Sequence, residues 1–264
     1  MKILEHFQQI DLTPSQKTTL EKLELFISGK EQVFMLKGYA GSGKTTILQG
    51  LCEFLESEEK QYYLMASTGR AAKVIRERTG KEAYTIHKSI YSFEELSEIK
   101  ENESFCYYFK LKNNIDASGK IFIVDEASMI SDAKIEGEFF RFGTGHLLTD
   151  LFTFMRISNP NVNSKIIFVG DPCQLPPVGD NSSKAFDPKY LLTKFNVSVV
   201  ETEMKEVLRH KDESGIIKAA TKMRKSISSG FFNDFSLRPN GSDILNTEWE
   251  SFLDVWQGHP VQRL

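Results

Sequence analysis

The chain has 264 residues, 40% of them hydrophobic and 26% charged, with a formal net charge of −3. That is enough for one large domain or two small ones, with the composition of an ordinary globular protein. The mild acidity argues against a bulk nucleic-acid binder, and no apolar run approaches the roughly 20 residues that span a bilayer, so no membrane partner is expected.

The opening stretch, MKILEHFQQIDLTP, has too short and too broken an apolar segment for a secretory signal. Cys52, Cys106 and Cys173 are far apart and form no CxxC pair, which suggests neither a disulfide framework nor a zinc site. A reducing, cytoplasmic setting follows as the expectation.

In chain order, Thr13-Pro14-Ser15-Gln16 reads as a helix start, with Thr13 as cap, Pro14 at the first position and Gln16 three residues after the cap. Val33 to Gly38 is a short apolar strand, and a helix follows from Lys44 to Glu59. Gln61 to Ser67 is a second strand and Gly69 to Thr79 a second helix. Ile121 to Ala127 and Lys165 to Asp171 are almost wholly apolar, and Val197 to Glu201 is a further strand. Apolar strands alternating with helices predict an α/β domain whose parallel sheet is covered on both faces.

Two stretches break that alternation. Tyr91 to Lys120 holds an acidic, helix-like segment, SFEELSEIKENE, followed by the aromatic SFCYYFKLK and a turn-rich run from Asn113 to Gly119. It reads as an insertion between sheet strands, a small hairpin. Glu136 to His146, EGEFFRFGTGH, is a second, glycine-punctuated departure with no assigned role. The tail beyond Arg238 is polar, with an apolar patch at Phe252 to Trp256.

Gly38 to Thr45 matches G-x-x-x-x-G-K-[ST] between a strand and a helix, the context that makes this pattern a phosphate site. Gly38, Gly41 and Gly43 let the backbone wrap a phosphate chain. Ser42, Thr46 and the other amides of the loop and helix N-terminus face the anion. Lys44 neutralises the β- and γ-phosphates of ATP, and Thr45 offers an oxygen to Mg²⁺. The strand ending in Asp125-Glu126 supplies the complement: Asp125 to hold Mg²⁺ through water, Glu126 to orient and deprotonate the attacking water. An adjacent glutamate favours hydrolysis over phosphoryl transfer to a second substrate. From Lys60 to Lys88 seven cations stand against two anions, a local +5 that is either a solvated face or part of a polyanion track.

Taken in order, MLKGYAGSGKTT, ASTGRAAK, TIH, IVDEASM and GDPCQLPPVG resemble the first motor domain of superfamily-one DNA helicases of the RecD/Dda kind, over roughly Leu12 to Gly230. The resemblance implies a RecA-like P-loop fold and ATP-driven tracking of single-stranded DNA. It implies that Gln174, in the proline-stiffened loop after the Asp171 strand, senses the γ-phosphate, and that Arg209 reaches the same group, although His210 follows it where the family often has Gln. It makes Gln16 a reader of adenine, in competition with the capping role its position already gives it. Thr68, Arg70, Lys73, Thr85 and His87 fall on segments that contact the DNA strand, and Phe105 to Phe109 on the strand-separating hairpin.

The expected organisation is a RecA-like ATPase domain over residues 1–230, with the insertion at about 91–120, and a tail over 231–264 that begins a second motor domain. The family's motor needs two such domains, so a second RecA-like domain, in cis or in trans, is an expected partner. Two readings compete with the helicase motor: a stand-alone P-loop ATPase, and a nucleotide-dependent binding module that does not unwind DNA.

Overall fold

A computed structural model describes residues 2–101, 104–135, 137, 139–206, 214–231, 238–239 and 243–252. The chain divides into two compact units, Met1–Leu208 and Arg209–Leu264.

The first unit is built on six strands: β1 (Val33–Gly38), β2 (Tyr62–Ala66), β3 (Tyr84–Thr85), β6 (Ile121–Asp125), β8 (Lys165–Gly170) and β9 (Val199–Met204). They lie in the order β3-β2-β6-β8-β1-β9, and every pairing is parallel. The side-chain period of two explains why both faces must be covered. Val33, Met35, Phe122, Val124, Ile166 and Phe168 enter one core. Their neighbours Phe34, Leu36, Ile121, Ile123, Ile167 and Val169 enter the other.

Helices α1 (Pro14–Ser28), α2 (Lys44–Ser57) and α3 (Gly69–Thr79) supply the second core with Leu20, Leu23, Leu48, Leu51 and Ile75. Helices α4 (Ile86–Ile90), α5 (Leu147–Met155) and α6 (Pro188–Phe195) fill the first with Ile86, Ile90, Leu148, Leu151, Leu191 and Phe195. Each fully buried aliphatic or aromatic side chain is worth about 1.5–3 kcal/mol over its exposed state. The two layers therefore hold the sheet rigid and leave its strand ends as the place for chemistry.

The insertion is a hairpin, with one correction. The acidic segment expected to be helix-like is strand β4 (Tyr91–Glu101), antiparallel to β5 (Ser104–Leu111). The pairing of Leu96 with Phe109 and Ser97 with Tyr108 continues out to Glu101 with Ser104, so ladder hydrogen bonds override the helix preference of Glu and Leu. The unassigned segment after residue 135 contributes β7 (Phe140–Phe142), which adds to β5 in parallel. In the second unit, α7 (Gly215–Ser229) begins where the Ser214 hydroxyl and the Ile216 amide both donate to Asp243. Of the expected apolar patch in the tail, Phe252 is described and the positions after it lie outside the described residues.

Candidate functional site

A parallel sheet sends all its strands out at one edge, and ligands of such sheets gather at that carboxyl edge. Here Gly38 ends β1, Ala66 ends β2, Thr85 ends β3, Asp125 ends β6 and Gly170 ends β8. The register keeps these ends level: Lys37 pairs with Gly170, Ala66 with Asp125, and Ala66 with Thr85. Candidate nucleotide and nucleic-acid residues, far apart in sequence, thus share one edge.

The loop from Gly38 to Gly43 turns β1 into α2 with Gly41 at φ 78° and Gly43 at φ 87°, in the left-handed region that glycine tolerates. At Gly38 a Cβ would stand 2.8 Å from Ser42 Oγ and 3.2 Å from Lys44 Cγ, so a side chain there would displace the loop. Helices α1, α3, α4 and α6 each begin under a side-chain cap, from Thr13, Thr68, Thr85 and Asp187. Helix α2 begins at Gly43 with none, leaving its first-turn amides and positive dipole end for an anion. Lys44 Nζ donates to the carbonyls of Gly38 (2.9 Å) and Tyr39 (3.1 Å), which fixes the ammonium in the loop. Thr45 and Thr46 are half-buried in the first turn.

Asp125 is drawn in two directions. Burial, reinforced by the neighbouring Glu126 charge, pushes its carboxyl up to about 6, against the backbone hydrogen bond at Glu126 and the Lys44 ammonium. Glu126 has φ 52° and ψ 40°, left-handed for a non-glycine residue, a conformation costing about 1–3 kcal/mol and found where function fixes a side chain. A hydroxyl and a carboxylate are hard oxygen donors. They suit Mg²⁺, which takes one or two protein oxygens and completes its shell with phosphate and water. Thr45 and Asp125 therefore fit the ion. Among the described residues no group of three or more His, Cys, Asp or Glu forms an all-protein metal cage.

The loop after β8 starts as a tight turn. Asp171 is buried, its Oδ1 accepts from the Cys173 amide (3.0 Å), and its carbonyl accepts from the Gln174 amide (3.0 Å). Gln174 is exposed, and Pro177 is buried where the two prolines stiffen the turn. Arg209 lies outside the described residues.

The five nucleic-acid candidates divide by environment. Thr68 Oγ1 caps α3 through the Ala71 amide (3.1 Å), and Thr85 Oγ1 caps α4 through the Lys88 amide (3.1 Å). Arg70 and Lys73 stand exposed on α3. His87 is half-buried against the rings of Tyr91 (5.7 Å) and Phe142 (5.1 Å), and burial lowers its pKa, which favours the neutral imidazole. Through Phe142, His87 meets an aromatic layer of Phe93, Phe109 and Phe140 on the small sheet.

Sequence reasoning missed two buried acids that bind these pieces together. The Asp132 carboxylate accepts from Thr149, from Tyr190 and from Lys194 (2.6 Å), tying the segment after Glu126 to α5 and α6. Burial alone would raise its pKa, but these donors outweigh it and hold the carboxyl below the usual range. Asp150 accepts from the Tyr91 hydroxyl (2.7 Å), and from the Thr144 amide (3.0 Å) and hydroxyl (2.8 Å). Only acids set among apolar residues marked these positions, a signal shared by many surface helices.

The sequence pattern of the AAA domain family matches residues 25–180, which contain the glycine loop, the acid pair and the Gln174 loop. The chain belongs to the AAA domain family. It is 32% identical over 197 residues to an uncharacterized protein of Acanthamoeba polyphaga mimivirus, covering 66% of this chain and 35% of that one. It is 28% identical over 215 residues to the ATP-dependent DNA helicase dda of Enterobacteria phage T4, covering 81% of this chain and 43% of that one. The chain thus spans less than half the length of these relatives. Pif1 helicase from Candida albicans shares the fold, with a TM-score of 0.51 and 20% identity over 81% of this chain and 44% of the other. This AAA domain accordingly has the RecA-like P-loop fold. Among its described residues no helix is long and apolar enough to cross a membrane.

Proposed function

We propose that the chain is the ATP-binding and ATP-hydrolysing first motor domain of a DNA helicase that tracks single-stranded DNA. One observation carries this reading: the uncapped α2 terminus with Lys44, the Asp125–Glu126 pair and the Gln174 turn share a sheet edge with the cationic start of α3. Similarity to a helicase named ATP-dependent supports it.

In this reading the amides of Gly41 to Thr46 and the Lys44 ammonium bind the phosphates. Thr45 and Asp125 would hold Mg²⁺, which would supply positive charge to offset that of the phosphates. Glu126 accepts a proton from the attacking water and Gln174 orients on the γ-phosphate; Arg209, outside the described residues, is a candidate for a further cation only through the helicase resemblance. Thr68, Arg70, Lys73 and Thr85 carry the strand at the β2–β3 end of the edge, and His87 supports it from the aromatic layer. A second RecA-like domain, in the same chain or a partner, closes over the phosphate edge, where Gln174 is exposed.

Steady-state ATP hydrolysis with and without single-stranded DNA tests the reading. Hydrolysis should require Mg²⁺ and rise when DNA is added. Hydrolysis indifferent to DNA would favour a stand-alone ATPase, and nucleotide binding without turnover would favour a binding module.

A further inference from the structure

Ser183 lies where the chain returns from the Gln174 loop. It is 8% exposed, and its hydroxyl is engaged as acceptor and as donor. As an acceptor it meets the Ala185 amide (3.3 Å) and caps a short 3₁₀ helix, Lys184–Phe186. As a donor it lies 2.8 Å from the Ala127 carbonyl and 2.8 Å from the Ile130 carbonyl. Those carbonyls bracket the turn that follows Glu126, where Ala127–Met129 form a single 3₁₀ turn. A hydroxyl has one proton, so the two carbonyls share it. Among the described residues no other side chain donates to a carbonyl of this turn.

The turn needs outside support. Glu126 enters it at φ 52° and ψ 40°, a conformation that persists in a non-glycine residue only when its surroundings over-determine it. The turn's own hydrogen bonds run from the Met129 amide to the Glu126 carbonyl (3.2 Å) and from the Ile130 amide to the Ala127 carbonyl (3.1 Å), in the poorer 3₁₀ geometry. Packing adds to them. A Cβ at Gly170 would stand 3.2 Å from the Ala127 amide and 3.2 Å from the Phe186 ring, so the end of β8, the turn and the return segment meet closely. Ser183 adds the polar tie, and the Ser131 hydroxyl, donating to the Asp180 carboxylate, holds the same return segment just beyond the turn. Strands β6 and β8 are paired as far as Val124 with Phe168. The Glu126 turn and the Gln174 loop therefore leave adjacent strands together and are joined again where the loop ends.

We propose that Ser183 is a positioning residue for Glu126: its shared hydroxyl locks the turn on which the glutamate depends for its place, and ties that turn to the exit of the Gln174 loop. The proposal rests on the ATP-hydrolysis reading above, in which Glu126 accepts the proton of the attacking water. Lys44 and the glycine loop belong to β1 and α2, and the Ser183 hydrogen bonds do not reach them. Loss of the hydroxyl should therefore act on the chemical step, through Glu126, and spare nucleotide affinity.

The test compares Ser183→Ala with a matched control, Ser164→Ala. Ser164 is 1% exposed, donates to the Met155 carbonyl (2.9 Å), and lies just before β8, at the opposite edge of the sheet. Both variants lose a buried hydroxyl and should lower the thermal midpoint. Hydrogen exchange of the nucleotide-free proteins, read by mass spectrometry, should rise over residues 126–131 in Ser183→Ala and stay unchanged there in Ser164→Ala. With Mg²⁺ present, the Kd for ATP should stay within about threefold in both. Single-turnover hydrolysis should fall about tenfold or more in Ser183→Ala alone, since a displacement of about 1 Å at a reacting group can cost about 10²-fold. Combined with Glu126→Gln, Ser183→Ala should slow hydrolysis no further. Unchanged hydrolysis or unchanged exchange in folded Ser183→Ala would overturn the proposal. So would an undiminished effect in the Glu126→Gln background, or an equal loss of turnover in Ser164→Ala, which would make the effect one of general stability. If Ser183→Ala does not fold, Ser183→Cys is closer in volume, offers only a weak donor, and is held to the same comparison. An unaltered chain that hydrolyses no ATP would refute the function reading itself, and the proposal with it.

Discussion

The proposed function gives Lys44 and Glu126 different jobs, and their backbones set them in different places. Lys44 opens an uncapped helix and is held by two loop carbonyls, so its charge stays where a phosphate chain would lie. Lys44→Ala should weaken ATP binding at least about tenfold, the loss of one charge-assisted contact. Glu126 sits in a left-handed conformation beside Asp125, at the end of β6. Glu126→Gln preserves size and leaves Asp125 and the loop intact. ATP affinity should stay within about threefold while turnover falls by about 10² or more, the usual contribution of a positioned base. Equilibrium binding and single-turnover hydrolysis on the same two proteins separate the roles. Turnover at the unaltered rate in Glu126→Gln would remove Glu126 as the base.

At the scale of elements, the molecule is a sheet whose exits are cross-braced, and the Asp150 cluster shows how the hairpin is held. Tyr91 is 1% exposed and Asp150 fully buried, and the bond between them joins the start of β4 to α5. Tyr91→Phe keeps the ring packed on Phe142 but strips one of three donors from a buried carboxylate. It should cost about 1.5–3 kcal/mol in urea unfolding, the range for a hydrogen bond to a charged group. A change within error would mean that Thr144 alone satisfies Asp150. This brace was not legible in the sequence. The sheet strands were, because burial on both faces imprints continuous apolar runs such as IFIVD and KIIFVG. The edges of α3 were legible too, since Thr68 caps it and Gly80 ends it at φ 67°. Strand β4 read as helix-like because its state is decided by β5, a partner outside any local window. β7 had no assigned role for the same reason: three residues acquire a strand only by adding to β5. The site was legible where local chemistry defines it, in the glycine loop and the acid pair. It was not where a side chain serves two distant places, as Gln16 does between the Thr13 amide and the Ser42 carbonyl, and Asp132 between Thr149 and Lys194.

For the whole molecule the question is how an acidic chain would hold the polyanion proposed for it. Net charge is −3, yet the segment from Lys60 to Lys88 carries seven cations and two anions, so attraction must be local. Helix stability does not explain two of these cations, Arg70 and Lys73. Arg70 lies in the first turn of α3, the positive end of the dipole, and that turn has no acidic residue. Lys73 has an ion pair with Glu77 at 3.8 Å, but with side chains 68% and 62% exposed the pair is worth little and leaves the ammonium available. Cations kept where they do not help the fold are those a strand of phosphates would use. Each phosphate contact on single-stranded nucleic acid adds about 0.7 to the slope of log K against log salt concentration. Replacing Arg70 and Lys73 together by alanine should therefore weaken binding of an oligothymidylate at low salt and flatten that slope by about 1.4. Fluorescence anisotropy across a salt series reads both quantities. A double variant that bound more weakly with an unchanged slope would have lost shape rather than charge. Binding independent of salt in the unaltered chain would remove the phosphate track from this edge of the sheet.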